Sequence, residues 1–563
     1  MATASRKPGN HVCVVGAGAL GLNAAKNLLE QGLEVTVFER WEYIAGNWHP
    51  SDRTDQTAAL DLTTKNTSKQ MSSFTDFPYP SHAGTHPTAA QVQEYLEGYA
   101  RNFDLMRHIK LNTEVVKIER NDEQNNWTVS TCSTSKGSDA GVTDHLFDRV
   151  VVVSGMLNIP NMPQFKGSEL FKGEIIHSRQ FRDPDKYKGK NVVVVGVGAS
   201  AVDVQSFLVK AGAKVYLSHR KSFVLLPRMT QGKAFDHTLS HRAGMAVRWL
   251  AACAPLLMSV LMTKGMAAMT FKAFPALKTH PSFTQPRRLD GIPHRVPCFD
   301  NDLAENLASS VVRSCQGIEA FTGPKSIRLL DGTELDDTDA VVCCSGYHYD
   351  FSLIHGAGDP TDPKKAPDGY ERMRKTKFYD PHTLFPRLFH GFLSEQFPES
   401  LAFIGTMLIV RPPFVVADLE TMALASLWSG QWPIPSAREM ASDIDAHYDF
   451  IVKALNRGPT PHPGFRWSSA RATYLWLNEA AGTGVNERLA AWGPEAWKFW
   501  WQDRKFYSLL MSGIDTPFVY RLFDTGRGRK AWPGAREAIE KTNREVEAMV
   551  DEWKKEEKAK KQR

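Results

Sequence analysis

HVCVVGAGALGLNAAKNLLEQGLEVTVFE, residues 11–39, reads as a strand, a glycine turn, a helix and a second strand. Val12, Val14 and Val15 form a short apolar run suited to a buried parallel strand. Gly16, Gly18 and Gly21 then complete Gly-x-Gly-x-x-Gly where the strand passes into the helix. The first glycine permits the tight turn, the second lets backbone N–H groups approach a pyrophosphate, and the third lets the helix lie against the strand. Leu20, Ala24, Ala25, Leu28 and Leu29 recur at helical spacing, and Gly32 ends the helix. Glu39 closes the second strand, 18 positions after Gly21. A carboxylate there accepts hydrogen bonds from the hydroxyls of an adenosine ribose. Glycine-rich turns are common; the strand before, the helix after and the acid at the right distance make this one a dinucleotide site.

A second turn of the same kind lies further on. Residues 190–200, KNVVVVGVGAS, place Gly196 and Gly198 after an apolar strand, and Ala201 takes the third position, the accepted G-x-G-x-x-A variant. A helix is expected over 200–211 and a strand over 214–217. That strand ends in Ser218-His219-Arg220-Lys221, with no acid. Arg220 is 19 positions after Ala201, matching Glu39 in the first unit. A carboxylate there would repel a ribose 2′-phosphate, whereas a guanidinium grips it with paired hydrogen bonds. The first turn therefore suits the free ribose of FAD, and the second suits NADP(H). Electrons passing from NADPH to FAD follow from the pair.

Composition fits this reading. A chain of 563 residues with 42% hydrophobic and 23% charged residues can bury several domains of ordinary size. The formal charge of +6 is small for that length and partly sits in the last ten residues, so nucleic acid is not an expected partner. The seven cysteines include no Cys-x-x-Cys pair, which fits a reduced, cytoplasmic setting and predicts neither a metal site nor a redox disulfide. The polar N-terminus, MATASRKPGN, leads straight into the first strand and is not read as a signal peptide. Residues 249–262, WLAACAPLLMSVLM, are uncharged but too short to span a bilayer, which takes about 20 residues. A buried or lid helix is expected there; peripheral contact with a membrane surface is the alternative.

The rest of the chain supplies supporting elements. Gly46-Asn47-Trp48 sits where a loop would cross the isoalloxazine of FAD. The polar segment 61–80 could present Asn66, Thr67 and Ser68 to a ligand, or could be a plain surface loop. Val92, Tyr95, Leu96 and Tyr99 have helical spacing, and 114–129 alternates like a small antiparallel sheet with Trp127 and Val129 on one face. DRVVVVSG (148–155), the strand at 340–344 and LAFIG (401–405) are further buried strands. A hairpin is expected at Asp331-Gly332 and a helix over 417–427. Beyond Pro435 lie eight of the 14 tryptophans and no glycine fingerprint, and Ile539, Val546, Met549, Val550 and Trp553 give the final helix one apolar face. An aromatic cluster of this kind reads as core or interface.

At the join between the two turns, FKGEIIHSRQF (171–181) has the pattern Phe-x-Gly-x-x-x-His-x-x-x-Phe. It resembles the identifying motif of the flavin-containing monooxygenases; the related Baeyer–Villiger monooxygenases end the motif in Trp or Pro. The resemblance runs in order from about Val12 to Pro435. It includes KNTSK (65–69), FTDFPYP (74–80), SHR (218–220) and SGY (345–347), with Ala45, Ala201 and Ser345 as small departures. It implies an α/β fold with two Rossmann-like dinucleotide-binding domains, for FAD and NADP, and a helical, aromatic-rich C-terminal extension. The expected division is 1–160 for the first part of the FAD domain, 161–345 for the NADP domain with the apolar insert near 245–275, 346–435 for the return to the FAD domain, and 436–563 for the extension. Gly16, Gly18, Gly21, Glu39, Asn47, Trp48 and the backbone at Val115 would hold FAD. Gly196, Gly198, Ser200, Ala201, Asp203 and Arg220 would hold NADP. Asn66, with Thr67 beside it, would lie between flavin and nicotinamide as the catalytic amide, and His177 would order the linker. The implied activity is NADPH-dependent transfer of one atom of O2 to a small-molecule substrate, at nitrogen or sulfur. Baeyer–Villiger oxygenation of a ketone is the enzymatic alternative, and a flavin-bound scaffold protein the non-enzymatic one.

Overall fold

The structure is a computed structural model and describes residues 9–60, 63–135, 141–284, 297–381, 384–409, 411–459 and 464–562. β1 (His11–Val15), α1 (Ala19–Glu30) and β2 (Glu34–Phe38) form the first strand–helix–strand unit, with Val12 opposite Val35 and Val14 opposite Val37 in parallel register. α2 (Ala89–Asn102) starts at a capping box: the Thr88 hydroxyl accepts from the Gln91 N–H, and the Gln91 side chain accepts from the Thr88 N–H. Such a cap is worth about 1 kcal/mol. The helix buries Val92, Tyr95, Leu96 and Tyr99, the face its spacing predicts. After β3 (Ile109–Lys110) come the antiparallel strands β4 (Thr113–Asn121), β5 (Asn126–Ser133) and β6 (Thr143–Phe147), then β7 (Arg149–Val152). Trp127 and Val129 are fully buried on one face of this small sheet.

The chain next builds β8 (Glu174–His177), β9 (Asn191–Val195), α3 (Ala199–Lys210) and β10 (Lys214–Ser218). The insert follows as α4 (His241–Cys253) and α5 (Pro255–Ala273). β11 (Val312–Cys315) leads to the expected hairpin, which turns at Gly332 with φ +83°, and then to β12 (Ala340–Cys343). β13 (Leu388–Phe389), β14 (Leu393–Ser394), β15 (Leu401–Phe403) and α6 (Pro413–Trp428) return to the first unit. Pro413 starts α6 one turn earlier than expected, because a proline at the first helical position forfeits no hydrogen bond. The extension contains α7 (Ala437–Leu455), α8 (Ala470–Ala480), α9 (Pro494–Gln502), α10 (Arg504–Ser512) and α11 (Ala535–Gln562).

Two parallel sheets organise these elements. The first has the order β13-β14-β15-β7-β1-β2-β3, parallel from β15 to β3. The second has the order β11-β10-β9-β12-β8, parallel throughout. A parallel sheet is covered on both faces, so its central strands must be apolar on both sides; Val12, Val14, Val192, Val193 and Val194 are 0% exposed. The fold is the α/β, two-Rossmann architecture expected.

Of the buried or lid helix expected at 249–262, the buried alternative changes. Residues 249–262 do not form one buried helix. Pro255 has no N–H to continue α4, so the chain breaks and restarts there as α5. Trp249, Leu250, Leu256, Leu257, Val260 and Leu261 are exposed. No helix among the described residues is long and apolar enough to cross a membrane. The tryptophans of the extension also divide: Trp467 is buried, whereas Trp492, Trp497 and Trp501 are exposed.

The extension is part of the main core rather than an appendage. Met440, Ile444, Tyr474, Leu477, Phe506 and Phe518 pack in the same hydrophobic cluster as Val12, Leu22 and Val92. Arg521, 1% exposed, reaches across to α1. Its Nη1 donates to both oxygens of Glu30 at 2.8 and 3.0 Å, and its Nη2 donates to Asn27 Oδ1 at 2.6 Å. Its Nε lies 3.1 Å from Asp76.

Candidate active site

A cleft of about 460 Å³ opens at the carboxyl ends of β1, β2 and β7. Gly16, Gly18, Glu39, Asn47, Trp48 and Val115 all line it. The glycines have distinct tasks. Gly16 has φ +105°, and a Cβ there would stand 2.7 Å from the Val153 carbonyl oxygen. Gly18 faces Gly46 across the turn, where a Cβ would come 3.7 Å from the Gly46 Cα. Gly21 is off the wall: a Cβ there would lie 1.9 Å from the Gly16 carbonyl oxygen, so glycine lets α1 rest on the turn. α1 begins at Gly18 with no side-chain cap and no acid in its first turn. Its free N–H groups and positive dipole end suit a pyrophosphate. The Glu39 carboxylate is held by the Ala17 N–H at 2.7 Å and the Trp41 N–H at 3.0 Å. Burial raises its pKa and these two donors oppose that rise. Asn47 and Trp48 sit in a tight turn entered through Ala45, whose φ of +78° is left-handed. A glycine adopts that conformation freely, and alanine holds it at a cost of about 1 kcal/mol. The glycine turn, the bare helix end and the fixed carboxylate fit FAD.

The second cradle repeats the plan with different charge. Gly196 has φ +114°, and a Cβ there would stand 2.6 Å from the Cys344 carbonyl oxygen. Gly198 starts α3, again without a side-chain cap, and a Cβ there would meet nothing within 4 Å. Ser200 is exposed in the first turn, while Ala201 is fully buried where the first unit has Gly21. At the end of β10, His219 turns inward, its Nε2 2.8 Å from Ser314 Oγ and its Nδ1 2.9 Å from the Lys221 carbonyl oxygen. Arg220 points outward and is exposed, its stem crossing Gly317 so closely that a Cβ there would come within 2.7 Å. This arrangement fits the phosphorylated ribose of NADP.

The loop carrying Asn66, Thr67 and Ser68 joins the two units. Asn66 Oδ1 accepts from Arg228 Nη2 at 3.3 Å. Arg228 also lies 3.9 Å from Asp203 on α3 and 3.5 Å from Asp300. The Ser68 N–H donates to Asp236 at 2.8 Å, and the Ser68 hydroxyl lies 3.0 Å from His237 Nε2. Burial pushes Asp203 up to about 6 against the pull of Arg228, and lowers His237 to about 3. Lys65, buried with Nζ 3.1 Å from the Ser72 carbonyl oxygen, is lowered to about 7 by desolvation. Asn66 and Asp203 are therefore gathered around Arg228, and neither they nor Thr67 line the first cleft. His177 is 2% exposed, accepts the Arg179 N–H at Nδ1 (3.1 Å) and lies 3.0 Å through Nε2 from the Gly346 carbonyl oxygen. Arg228, Asp236 and His237 escaped the sequence reading, because PRMTQGKAFDH (227–237) has no spacing signal.

Both cradles and their connecting loop define a two-dinucleotide flavoprotein. The chain matches the model of the flavin-binding monooxygenase-like family over residues 9–561 and belongs to that family. It is 31% identical over 547 residues to the monooxygenase aurF of Gibberella zeae, covering 96% of this chain and 99% of that one. It is 27% identical to flavin-containing monooxygenase 3 of Macaca mulatta, covering 94% and 91%. The fold is similar to S-allyl-L-cysteine S-oxygenase from Allium sativum, with a TM-score of 0.59, 21% identity and coverage of 88% and 98%. It is also similar to cyclohexanone monooxygenase, with a TM-score of 0.58, 16% identity and coverage of 84% and 98%. The protein is an FAD- and NADPH-dependent monooxygenase.

Proposed function

We propose that this enzyme oxygenates a soft nucleophile, an amine nitrogen or a sulfur, on a small-molecule substrate. The observation that carries this reading is the apolar part of the cleft. It is walled by Met407, Leu408, Ile409, Pro413 and Phe414, and no histidine lines the cleft among the described residues. Three arginines also line the cleft: Arg411 is engaged by Asp515 at 2.6 Å, Arg179 donates to the Asn158 carbonyl oxygen at 3.0 Å, and Arg40 lies over the Trp41 ring. When bound, FAD reduced by NADPH supplies the oxygen-activating chemistry. This chain binds, orients and excludes water. A soft nucleophile brings its own electron pair and needs no base, which suits an apolar wall without a histidine. A screen of amines, sulfides and ketones, following NADPH oxidation with peroxide measured in parallel, tests this. Amine or sulfide products one oxygen heavier are expected; esters from ketones with amines untouched would overturn it.

Within this reading Glu39, Asn47, Trp48, the three glycines of the first turn and the Val115 backbone hold FAD. Gly196, Gly198, Ser200, Ala201, Asp203 and Arg220 hold NADP, with Arg220 on the 2′-phosphate. Asn66 and Thr67 serve the space between the two cofactors, where an amide donates and accepts without titrating. The exposed α4–α5 surface contacts an anionic membrane surface peripherally. Supporting this, residues 237–289 contain seven Lys and Arg and no Asp or Glu. Arg242, Lys264 and Lys272 are exposed beside the apolar residues.

A further inference from the structure

α6 buries every residue from Phe414 to Trp428, and two of them are acids. Asp418 is satisfied: Oδ1 accepts from Asn27 Nδ2 and Oδ2 from the Thr75 N–H, both at 2.8 Å. Glu420 is not. It is 0% exposed, and neither carboxyl oxygen meets a protein donor in hydrogen-bond geometry. The Gly405 N–H faces it, and burial drives its pKa well above the usual carboxylate range. No charge offsets that burial. Lys26 of the adjoining α1 is paired with Glu30 and Asp76, Tyr474 of α8 with Tyr520, and Asp418 with its amides. Burial of an uncompensated carboxylate disfavours its charged form, so the site favours the neutral acid, which has a proton to donate.

Glu420 also lines the FAD cleft. Its neighbours on that wall include Leu20, two residues beyond Gly18, with Gly405 at the end of β15 and Val416 and Ala417 one turn earlier on α6. It therefore stands on the wall beside Gly405, which packs against Leu20 next to the glycine turn, on the helix that also carries Phe414 into the lining. We propose that Glu420 anchors FAD by donating a hydrogen bond from its carboxyl group to an oxygen of the ribityl–pyrophosphate stretch. This rests on the FAD reading of the first cradle. A neutral carboxyl both donates and accepts, as does an amide, whereas an anion there would repel the phosphates.

The test uses full-length apo-protein in three forms: wild type, Glu420→Gln and Glu420→Leu. FAD affinity is read from flavin fluorescence quenching, and the melting temperature is taken without FAD. Glu420→Leu is expected to weaken FAD about tenfold, the worth of one hydrogen bond, while raising the apo melting temperature because an unpaired polar group is gone. Glu420→Gln is expected to bind FAD within about threefold of wild type, since its amide still donates. The infrared difference spectrum on adding FAD should show a protonated-carboxyl band that shifts in wild type and is missing in Glu420→Gln. Wild-type affinity in Glu420→Leu, or the same band in Glu420→Gln, would overturn the anchoring role and leave the cofactor intact. A wild-type protein that takes up no FAD would overturn the cradle reading itself.

Discussion

Arg220 stands at the end of β10 as Glu39 stands at the end of β2, and in the proposed reading this exchange of charge separates the two nucleotides. Glu39 is fixed by two backbone N–H groups, so its lone pairs are aimed before any ligand arrives. Arg220 is exposed, with its stem lying against Gly317. Replacing Arg220 with Ala is expected to raise the KM for NADPH at least tenfold and that for NADH less than threefold, because a charge-assisted hydrogen bond is worth about 1.5–3 kcal/mol. Equal changes for both nucleotides would remove the 2′-phosphate assignment. The Asn66 carbonyl oxygen accepts from Arg228, which Asp203 and Asp300 also approach. Asn66→Ala is expected to leave NADPH oxidation running while peroxide rises at the expense of oxygenated product; unchanged coupling would remove its role.

At the scale of elements, amphipathic spacing predicted α2, and its buried face is the expected one. The same reasoning fails for α4 and α5. A stretch that is apolar all round says that the helix avoids water and not which neighbour covers it. Here the break at Pro255 turns Leu256, Leu257, Val260 and Leu261 outward. Wild-type protein is therefore expected to float with phosphatidylserine-containing vesicles at low salt and to be released as salt rises. Leu256→Glu/Leu257→Glu is expected to remain in solution with its flavin in place. Wild type that never floats would return this surface to an ordinary solvent face.

Across the whole molecule, Arg521 ties the extension to the helix that begins at the FAD turn. Breaking a buried pair by removing one partner costs about 3–5 kcal/mol, because the other charge is left stranded. Arg521→Met is expected to lower the melting temperature at pH 7 and to weaken flavin retention with it. Glu30 has a definite sign. Burial raises its pKa, but Arg521 and Lys26 outweigh burial and bring it down to about 2. A depressed acid contributes stability that is fully present above its unfolded value of about 4.3 and is lost as pH falls toward 2. The wild-type melting temperature should therefore fall below about pH 4.5 more steeply than that of Arg521→Met. Parallel curves would show that the pair contributes nothing.

Local chemistry was enough for the two glycine turns, the acid at Glu39 and its replacement by Arg220. A strand–turn–helix–strand unit carries its constraints within about 30 residues, and each position answers to its neighbours along the chain. Glu420 was half legible, as an acid in an apolar helix, though nothing in that helix separates it from its satisfied neighbour Asp418. Arg228 meets Asn66 across 162 positions, and Arg521 meets Glu30 across 491. Such pairs leave no periodicity in the sequence, because the contact exists only after distant segments have packed. Tertiary structure alone decided which charges are paired, which acid is left without a partner, and which apolar face stays in water.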